Sequence, residues 1–151
     1  MSEIIQPPPV SHQQIVPVKW MGGKQFDSTI EQHTVRMSTS PKGGGDGSGP
    51  SPKILLLGAV GGCTMMDVVD ILKKMRIEFA SFETEVVADV ADAIPAVYKR
   101  IHIKYIFSGV KPDLAKVHHA VGLSLEKYCS VHAMLSATVE FSHEVIWNES
   151  V

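Results

Sequence analysis

The sequence predicts an α+β fold with the element order β-β-α-β-β-α-β. Three observations predict it: a long apolar helical stretch at 52–75, two alternating strand-like stretches at 80–90 and 101–107, and a one-faced amphipathic helix after Pro112. Strands that follow one another in sequence favour antiparallel pairing through hairpins. The 151 residues, of which 44% are hydrophobic and 20% charged, suffice for one globular domain with a core.

We expect a single domain over residues 13–151, preceded by a flexible tail at 1–12. The tail contains the run Pro7-Pro8-Pro9, which favours an extended conformation. It lacks the basic and apolar regions of a signal peptide. The longest apolar run, 54–66, is too short to span a bilayer. We therefore expect a cytoplasmic protein without a membrane partner.

Charge and cysteine content exclude further classes. The 14 basic and 16 acidic side chains give a formal net charge of −2, so no basic excess indicates a nucleic-acid partner. Two cysteines are too few for a disulfide-stapled secreted scaffold. In a reducing compartment both are expected to be free thiols unless they are redox-active.

The first part of the chain reads as short strands and a loop. Residues 13–37 give two strand-like stretches on either side of the turn Gly22-Gly23. Segment 43–49 carries five glycines, and we interpret it as a mobile connector. A phosphate-binding loop is excluded because no Gly-Lys-Ser/Thr follows.

The long helix is the most distinctive element. Ser51 can cap it, and Pro52 suits its first position. Its first half is apolar nearly all round, and a soluble protein places such a helix where it is buried on every side. We therefore expect a central helix that is wrapped by a sheet or by a partner subunit.

The later elements follow from alternation and helical spacing. Strand 80–90 has one apolar face and an acidic one, and strand 101–107 alternates in the same way. The apolar positions of the second helix are Leu114, Val117, Val121, Leu125 and Tyr128, and those of a predicted last strand are Val131, Ala133, Leu135, Ala137, Val139 and Phe141.

The two cysteines are the candidate reactive groups. Cys63 follows Gly61-Gly62 inside the central helix, where each glycine costs roughly 1 kcal/mol relative to alanine, so we expect a close approach there by a helix backbone or a ligand. Cys129 shares strand parity with Val131, so its side chain should face the core. Each thiol is also consistent with an inert core cysteine. A fold that brings both into one pocket would form a two-thiol redox centre.

A reactive Cys63 needs a cation from elsewhere in the fold. It lies too far from the helix start to benefit from the dipole, and Asp67 would oppose thiolate formation. Arg36 is the candidate cation, with a solvated surface arginine as the alternative. The seven histidines show no metal-binding spacing, and no Gly-x-Ser-x-Gly is present, so we expect neither a metal nor a serine nucleophile.

Two stretches resemble a known family. Residues 49–64, Gly-Pro-Ser-Pro-Lys-Ile-Leu-Leu-Leu-Gly-Ala-Val-Gly-Gly-Cys-Thr, followed by Met66-Asp67-Val68-Val69, resemble the central helix of the OsmC/Ohr family. Residues 127–131, Lys-Tyr-Cys-Ser-Val, resemble that family's second cysteine site. The likeness runs from Val18 to Glu140 and is strongest to the YhfA-like branch.

The resemblance implies an intertwined homodimer in which two central helices are wrapped by antiparallel or mixed sheets from both chains. It also implies two active sites at the subunit interface that reduce hydroperoxides, organic ones preferentially, in oxidative-stress defence. By this resemblance Cys63 is the peroxidatic cysteine, Cys129 the resolving cysteine and Arg36 the cation beside the reactive thiol. An external thiol or dithiol is the implied reductant, and no cofactor is implied.

One position departs from the family pattern. Active relatives often carry a glutamate in the first turn after the helix-opening proline to hold the arginine, and here that turn reads Lys53-Ile54. Asp46 and Asp67 are the candidate replacements. Two other functions stay open: a non-catalytic binding dimer with an apolar interface pocket, and a redox sensor or thiol-transfer protein.

Overall fold

A computed structural model describes residues 12–149, in two compact units that divide after Pro52. The predicted flexible tail, apart from His12, lies outside the described residues. The first unit is a three-stranded antiparallel sheet of β1 (Val18–Gly22), β2 (Gln25–Ile30) and β3 (His33–Met37), with β2 in the centre. The sequence predicted two strands here. A second turn at Glu31-Gln32 divides the second predicted strand into β2 and β3. Glu31 adopts the left-handed backbone conformation there, with a φ of 54°.

The two faces of the first sheet differ in polarity. Trp20 lies opposite Phe26 across the β1–β2 ladder, and Asp27 lies opposite Arg36 across the β2–β3 ladder. Because neighbouring residues of a strand point to opposite faces, one face is apolar and the other carries the charged pair. Trp20 is 66% exposed, so the apolar face is uncovered in the single chain.

The glycine-rich segment folds back onto β3. It contains a short 3₁₀ turn at Pro41–Gly43, and the amides of Gly45 and Gly47 donate to Ser40 O and Thr39 O. A Cβ at Gly45 would collide with Thr39 O, and one at Gly49 with Arg36 O. At these two positions close backbone approach, rather than flexibility, explains the glycine.

The second unit carries α1 (Pro52–Lys74), β4 (Ser81–Val90), β5 (Tyr98–Gly109), α2 (Leu114–Leu123), a π-helical turn (Ser124–Tyr128), α3 (Ser130–Leu135) and β6 (Glu140–Glu149). Its sheet has the order β4-β5-β6, in which β5 pairs antiparallel with β4 and parallel with β6. The α+β class and the mixed sheet are confirmed.

The last strand lies further along the chain than the sequence predicted. Residues 130–135 form α3, and the strand begins at Glu140. The spacing of Val131 and Leu135 also fits one helix face, and the Cys129 sulfur accepts the His132 N–H as a helix cap. The strand parity assigned to Cys129 was therefore wrong, although its side chain is buried as predicted.

The core lies between the helices and the inner face of the second sheet. α1 contributes one buried face, and Gly61 lets it approach β4, because a Cβ there would stand 3.0 Å from Val86 Cγ2 and 3.1 Å from Thr84 Oγ1. The close approach predicted at this glycine is therefore made by a strand. The fully buried apolar side chains are Val60, Val68, Leu72, Ile101, Ile103, Tyr105, Phe107, Val117, Ala120 and Val121.

The opposite face of α1 is apolar but uncovered in the single chain. On this face Met66 is 65% exposed and Val69 38%, and at the start of α1 Ile54 and Leu56 are 57% and 44% exposed on other sides of the helix. Gly58 and Gly62 have open space where a Cβ would stand. Among the described residues, α1 is long and apolar enough to cross a membrane by length and composition, a test that the core helix of a soluble protein also passes. The sequence predicted that α1 is buried on all sides, and within this single chain one side of α1 is buried.

Candidate active site

Cys63 lies in the middle of α1, at the edge of its buried face. Its side chain is half-buried, between exposed Gly62 and fully buried Thr64. The Thr64 hydroxyl donates to Gly61 O at 3.0 Å, which satisfies it within the helix. Cys63 is therefore held by a regular helix while its sulfur keeps a route to solvent.

Cys129 lies at the junction between the π-helical turn and α3. Its backbone is extended, with φ −71° and ψ 104°, and its amide donates to Ser124 O at 2.8 Å. The His132 amide donates to its sulfur at 3.3 Å. With only 2% of its surface exposed, Cys129 is fixed from two sides in the core.

The structure brings the two cysteines together. Both are free thiols, and Cys63 lies close enough to Cys129 to raise its pKa. The pKa of Cys129 is raised to about 11, chiefly by burial; the His132 amide lowers it and the contact with Cys63 raises it, each by less than burial does. Cys129 therefore keeps its proton at neutral pH.

The raised pKa of Cys129 predicts a loss of stability in alkali. An unfolded cysteine ionises near pH 8.5–9, whereas the folded one retains its proton to about pH 11, so the unfolded state binds fewer protons between these values. The free energy of unfolding should fall over this window, by roughly 2 kcal/mol from this group. Urea unfolding of reduced protein at pH 8, 9, 10 and 11 measures it.

Cys129→Ser is the control for this titration, because a serine hydroxyl does not ionise in the same window. The variant should lose less stability than wild type between pH 9 and 11. Tyr105 stays in both proteins, so its own ionisation cancels in the comparison. Equal losses in the two proteins would contradict the raised pKa of Cys129.

Tyr105 and Ser124 lie beside the thiols in the core. Tyr105 is fully buried, and its hydroxyl has no hydrogen-bond partner among the described residues. Burial raises the pKa of Tyr105 to about 12, and the nearby Thr64 side chain lowers it by less. Ser124, also fully buried, lies 2.9 Å from Asp67 Oδ2 and 3.3 Å from Thr64 O through its hydroxyl.

Arg36 lies in the first unit, on β3, and is held by an acid that the sequence did not indicate. Its Nε and Nη2 donate to the two carboxylate oxygens of Asp27 at 2.7 and 2.8 Å. The hydrogen bond from Arg36 lowers the pKa of Asp27, and the same contact raises that of Arg36. The signal was available in principle, since a turn at Glu31-Gln32 places residues 27 and 36 opposite each other.

The candidate replacements for the missing glutamate have other partners. Asp46 accepts from the Ser38 hydroxyl at 2.7 Å and from the Ser48 amide at 3.1 Å, which holds its pKa well below the usual range. Asp67 accepts from Ser124. Lys53 donates to Ala96 O at 3.0 Å at the start of α1. Asp27 is therefore the acid that holds Arg36.

A groove of about 450 Å³ opens in the second unit between the second half of α1 and the end of α2, and neither cysteine is among its lining residues. Asp67, one helical turn after Cys63, and Tyr128, the neighbour of Cys129, both line it. Its other lining residues are Asp70, Ile71, Lys74, Met75 and Leu123. Within residues 12–149, no group of three or more histidine, cysteine, aspartate or glutamate side chains is placed to hold a metal ion.

Comparison with known proteins identifies the family of the chain. A family model described as OsmC-like protein matches residues 45–144, which include both cysteines. Protein YhfA of Escherichia coli K12 is 35% identical over 127 residues, covering 83% of this chain and 92% of that protein.

Solved structures share the fold. A hypothetical protein from Aquifex aeolicus VF5 superposes with a TM-score of 0.78 and 31% identity, over 91% of this chain and 99% of that one. An organic hydroperoxide resistance protein OsmC from Legionella pneumophila superposes with a TM-score of 0.67 and 13% identity, over 91% and 99% of the two chains. The chain therefore belongs to the OsmC-like protein family.

Proposed function

We propose that this protein is a thiol peroxidase that reduces organic hydroperoxides through Cys63 and Cys129. The observation that carries the proposal is the pair of neighbouring free thiols, of which Cys63 is half-buried and Cys129 is buried with a raised pKa. This difference in exposure and pKa supports the division of roles. The more accessible Cys63 sulfur attacks the peroxide, and Cys129 reacts with Cys63 in the second step. The Legionella structural neighbour is named an organic hydroperoxide resistance protein, which supports the substrate class.

In the first step the Cys63 thiolate attacks the terminal oxygen of the hydroperoxide. The O–O bond breaks, an S–O bond forms, and the leaving alkoxide takes up a proton to become an alcohol. Two electrons pass from sulfur to the peroxide, and Cys63 becomes a sulfenic acid.

In the second step Cys129 attacks the Cys63 sulfur. The S–S bond forms, the S–O bond breaks, and the Cys129 proton leaves with the hydroxyl group as water. Two equivalents of an external thiol, or one dithiol, then reduce the disulfide and are themselves oxidised to a disulfide. The pair returns to its resting state without a metal or an organic cofactor.

A lowered thiol pKa alone would not make this reaction fast. Intrinsic nucleophilicity falls as the pKa falls, so most of the gain in thiolate is lost again. Orientation of the peroxide and stabilisation of the leaving oxygen supply the remainder. We assign this role to Arg36, whose guanidinium is oriented by the two-point contact with Asp27.

The working form is proposed to be a cytoplasmic homodimer. The uncovered face of α1, with Met66 65% and Val69 38% exposed, is the support from this chain. Exposed apolar side chains on a helix gain free energy when a second surface removes them from water. A second copy meets this need symmetrically, as the family resemblance implies. A reducing cytoplasm keeps both cysteines as thiols between turnovers.

Stoichiometric oxidation tests the proposal. One equivalent of cumene hydroperoxide should consume two thiols per chain and yield one equivalent of 2-phenyl-2-propanol. Peptide mapping should then find Cys63 linked to Cys129. Peroxide that is left intact while the thiols remain titratable would favour the non-catalytic binding dimer. A disulfide that forms only with a disulfide oxidant, and not with the peroxide, would favour the redox sensor.

A further inference from the structure

We propose that Ser124 is a positioning residue that sets the contact between the two redox thiols. The inference rests on the proposed two-thiol chemistry and adds to it the group that holds the two reacting sulfurs together. Ser124 begins the π-helical turn that ends one residue before Cys129. It contacts α1 on the helical turn that follows Cys63.

The side chain of Ser124 connects to the element that carries Cys63. Its hydroxyl donates to Asp67 Oδ2 at 2.9 Å, and Thr64 O lies second, at 3.3 Å. The shorter bond is also charge-assisted, which makes it the stronger of the two. Thr64 is the neighbour of Cys63, and Asp67 lies one turn further along the same helix.

The backbone of Ser124 connects to Cys129. Its carbonyl accepts the Cys129 amide at 2.8 Å, and this bond closes the wide turn over residues 124–129. Single π turns are uncommon, they widen a helix locally, and they occur often at functional sites. One residue thus holds α1 through its side chain and Cys129 through its main chain.

Burial makes this bridge rigid. Ser124 is fully buried, so water does not compete for its hydroxyl. The hydrogen bond also engages an oxygen of Asp67, the acid that would otherwise oppose a thiolate on the same helix. Loss of the hydroxyl should therefore separate the sulfurs and slow the step in which the S–S bond forms and water leaves.

The thiol–disulfide equilibrium with glutathione measures how closely Ser124 holds the two cysteines together, and it requires no peroxide. In Ser124→Ala the effective concentration of one thiol towards the other should fall about tenfold. This change corresponds to a reduction potential about 30 mV less negative. With peroxide, dimedone trapping should show Cys63 sulfenic acid at the wild-type rate, while the disulfide closes more slowly and sulfinic acid accumulates.

Two further variants separate positioning from general destabilisation. Asp67→Asn keeps an acceptor for the Ser124 hydroxyl and should retain a near wild-type effective concentration, whereas Asp67→Ala should resemble Ser124→Ala. Ser136→Ala removes an exposed hydroxyl at the end of α3 that bonds only Ala133 O among the residues described, and should change nothing.

The outcomes are distinguishable. A folded Ser124→Ala with the wild-type glutathione equilibrium would overturn the positioning role. Wild-type protein that forms the disulfide with glutathione but never oxidises with hydroperoxide would overturn the proposed function and leave the positioning role intact. If Ser124→Ala unfolds, Asp67→Ala against Asp67→Asn decides the question.

Discussion

Cys63→Ser should lower the turnover of cumene hydroperoxide by at least about a thousandfold, because a serine hydroxyl is neither ionised at neutral pH nor easily oxidised by a peroxide. The coupled assay with a dithiol reductant measures this loss directly. The fold should persist, since serine is isosteric with cysteine and this position is half-buried. Turnover within tenfold of wild type would exclude Cys63 as the attacking group.

Cys129→Ser is the matched variant, because it removes the second thiol and keeps the first. It should release about one equivalent of alcohol per chain in a single turnover, and then stop or proceed to sulfinic acid. The pair of variants therefore separates the attack step from the closing step. A Cys129→Ser protein that loses the first turnover as well would contradict the division of roles between the thiols.

Met66→Glu should dissociate the proposed homodimer. Met66 is 65% exposed in the single chain and lies on the uncovered face of α1, so a dimer built on this face would bury the new carboxylate. An uncompensated buried charge costs about 3 kcal/mol or more, and a two-fold axis places it in the interface twice. The dissociation constant should rise by about 10⁴-fold, as measured by sedimentation across a dilution series.

Met134→Glu is the matched control for the dimer. Met134 is also helical and 68% exposed, but it lies on α3 and not on the uncovered face of α1. This variant should sediment as wild type does. A Met66→Glu protein that remains dimeric at all concentrations, or a wild-type protein that is monomeric, would contradict the proposed interface.

Much of the second unit could be predicted because its residues obey simple periodicities. Alternation along β4 and β5 matches the observed burial at nearly every position, and the all-apolar α1 begins at Pro52 as predicted. These signals can be read from neighbouring residues alone, because one face of each strand packs against the core and the other face does not. They suffice to predict the α+β class without the family resemblance.

The misplacement of the last strand has a different cause. Residues 131–141 alternate in hydrophobicity, yet Val131 and Leu135 also satisfy helical spacing, and a short segment cannot distinguish the two periods. Tertiary contacts decide: Cys129 caps α3, and the adjacent β5 edge is filled by β6. The second turn of the first sheet was missed because Glu31 is not a residue that favours the left-handed region.

In the candidate site, the reactive and charged residues could be predicted from the sequence, whereas the residues that hold them in place could not. Cys63, Cys129 and Arg36 carry side chains whose reactivity or charge attracts attention in any sequence. Asp27 owes its place beside Arg36 to strand register, and Ser124 and Tyr105 owe theirs to burial in the core. Register and burial are properties of the fold. A serine between Leu123 and Leu125 in a helix gives no sign that it joins two elements.

The parallel pairing of β6 with β5 also affects how the chain is made. Cys129 lies in the crossover between these two strands, and β6 is the last element described. During synthesis the crossover is tethered at one end only, until β6 leaves the ribosome and pairs with β5. Until then Cys129 lies on a segment that the sheet does not yet hold in place.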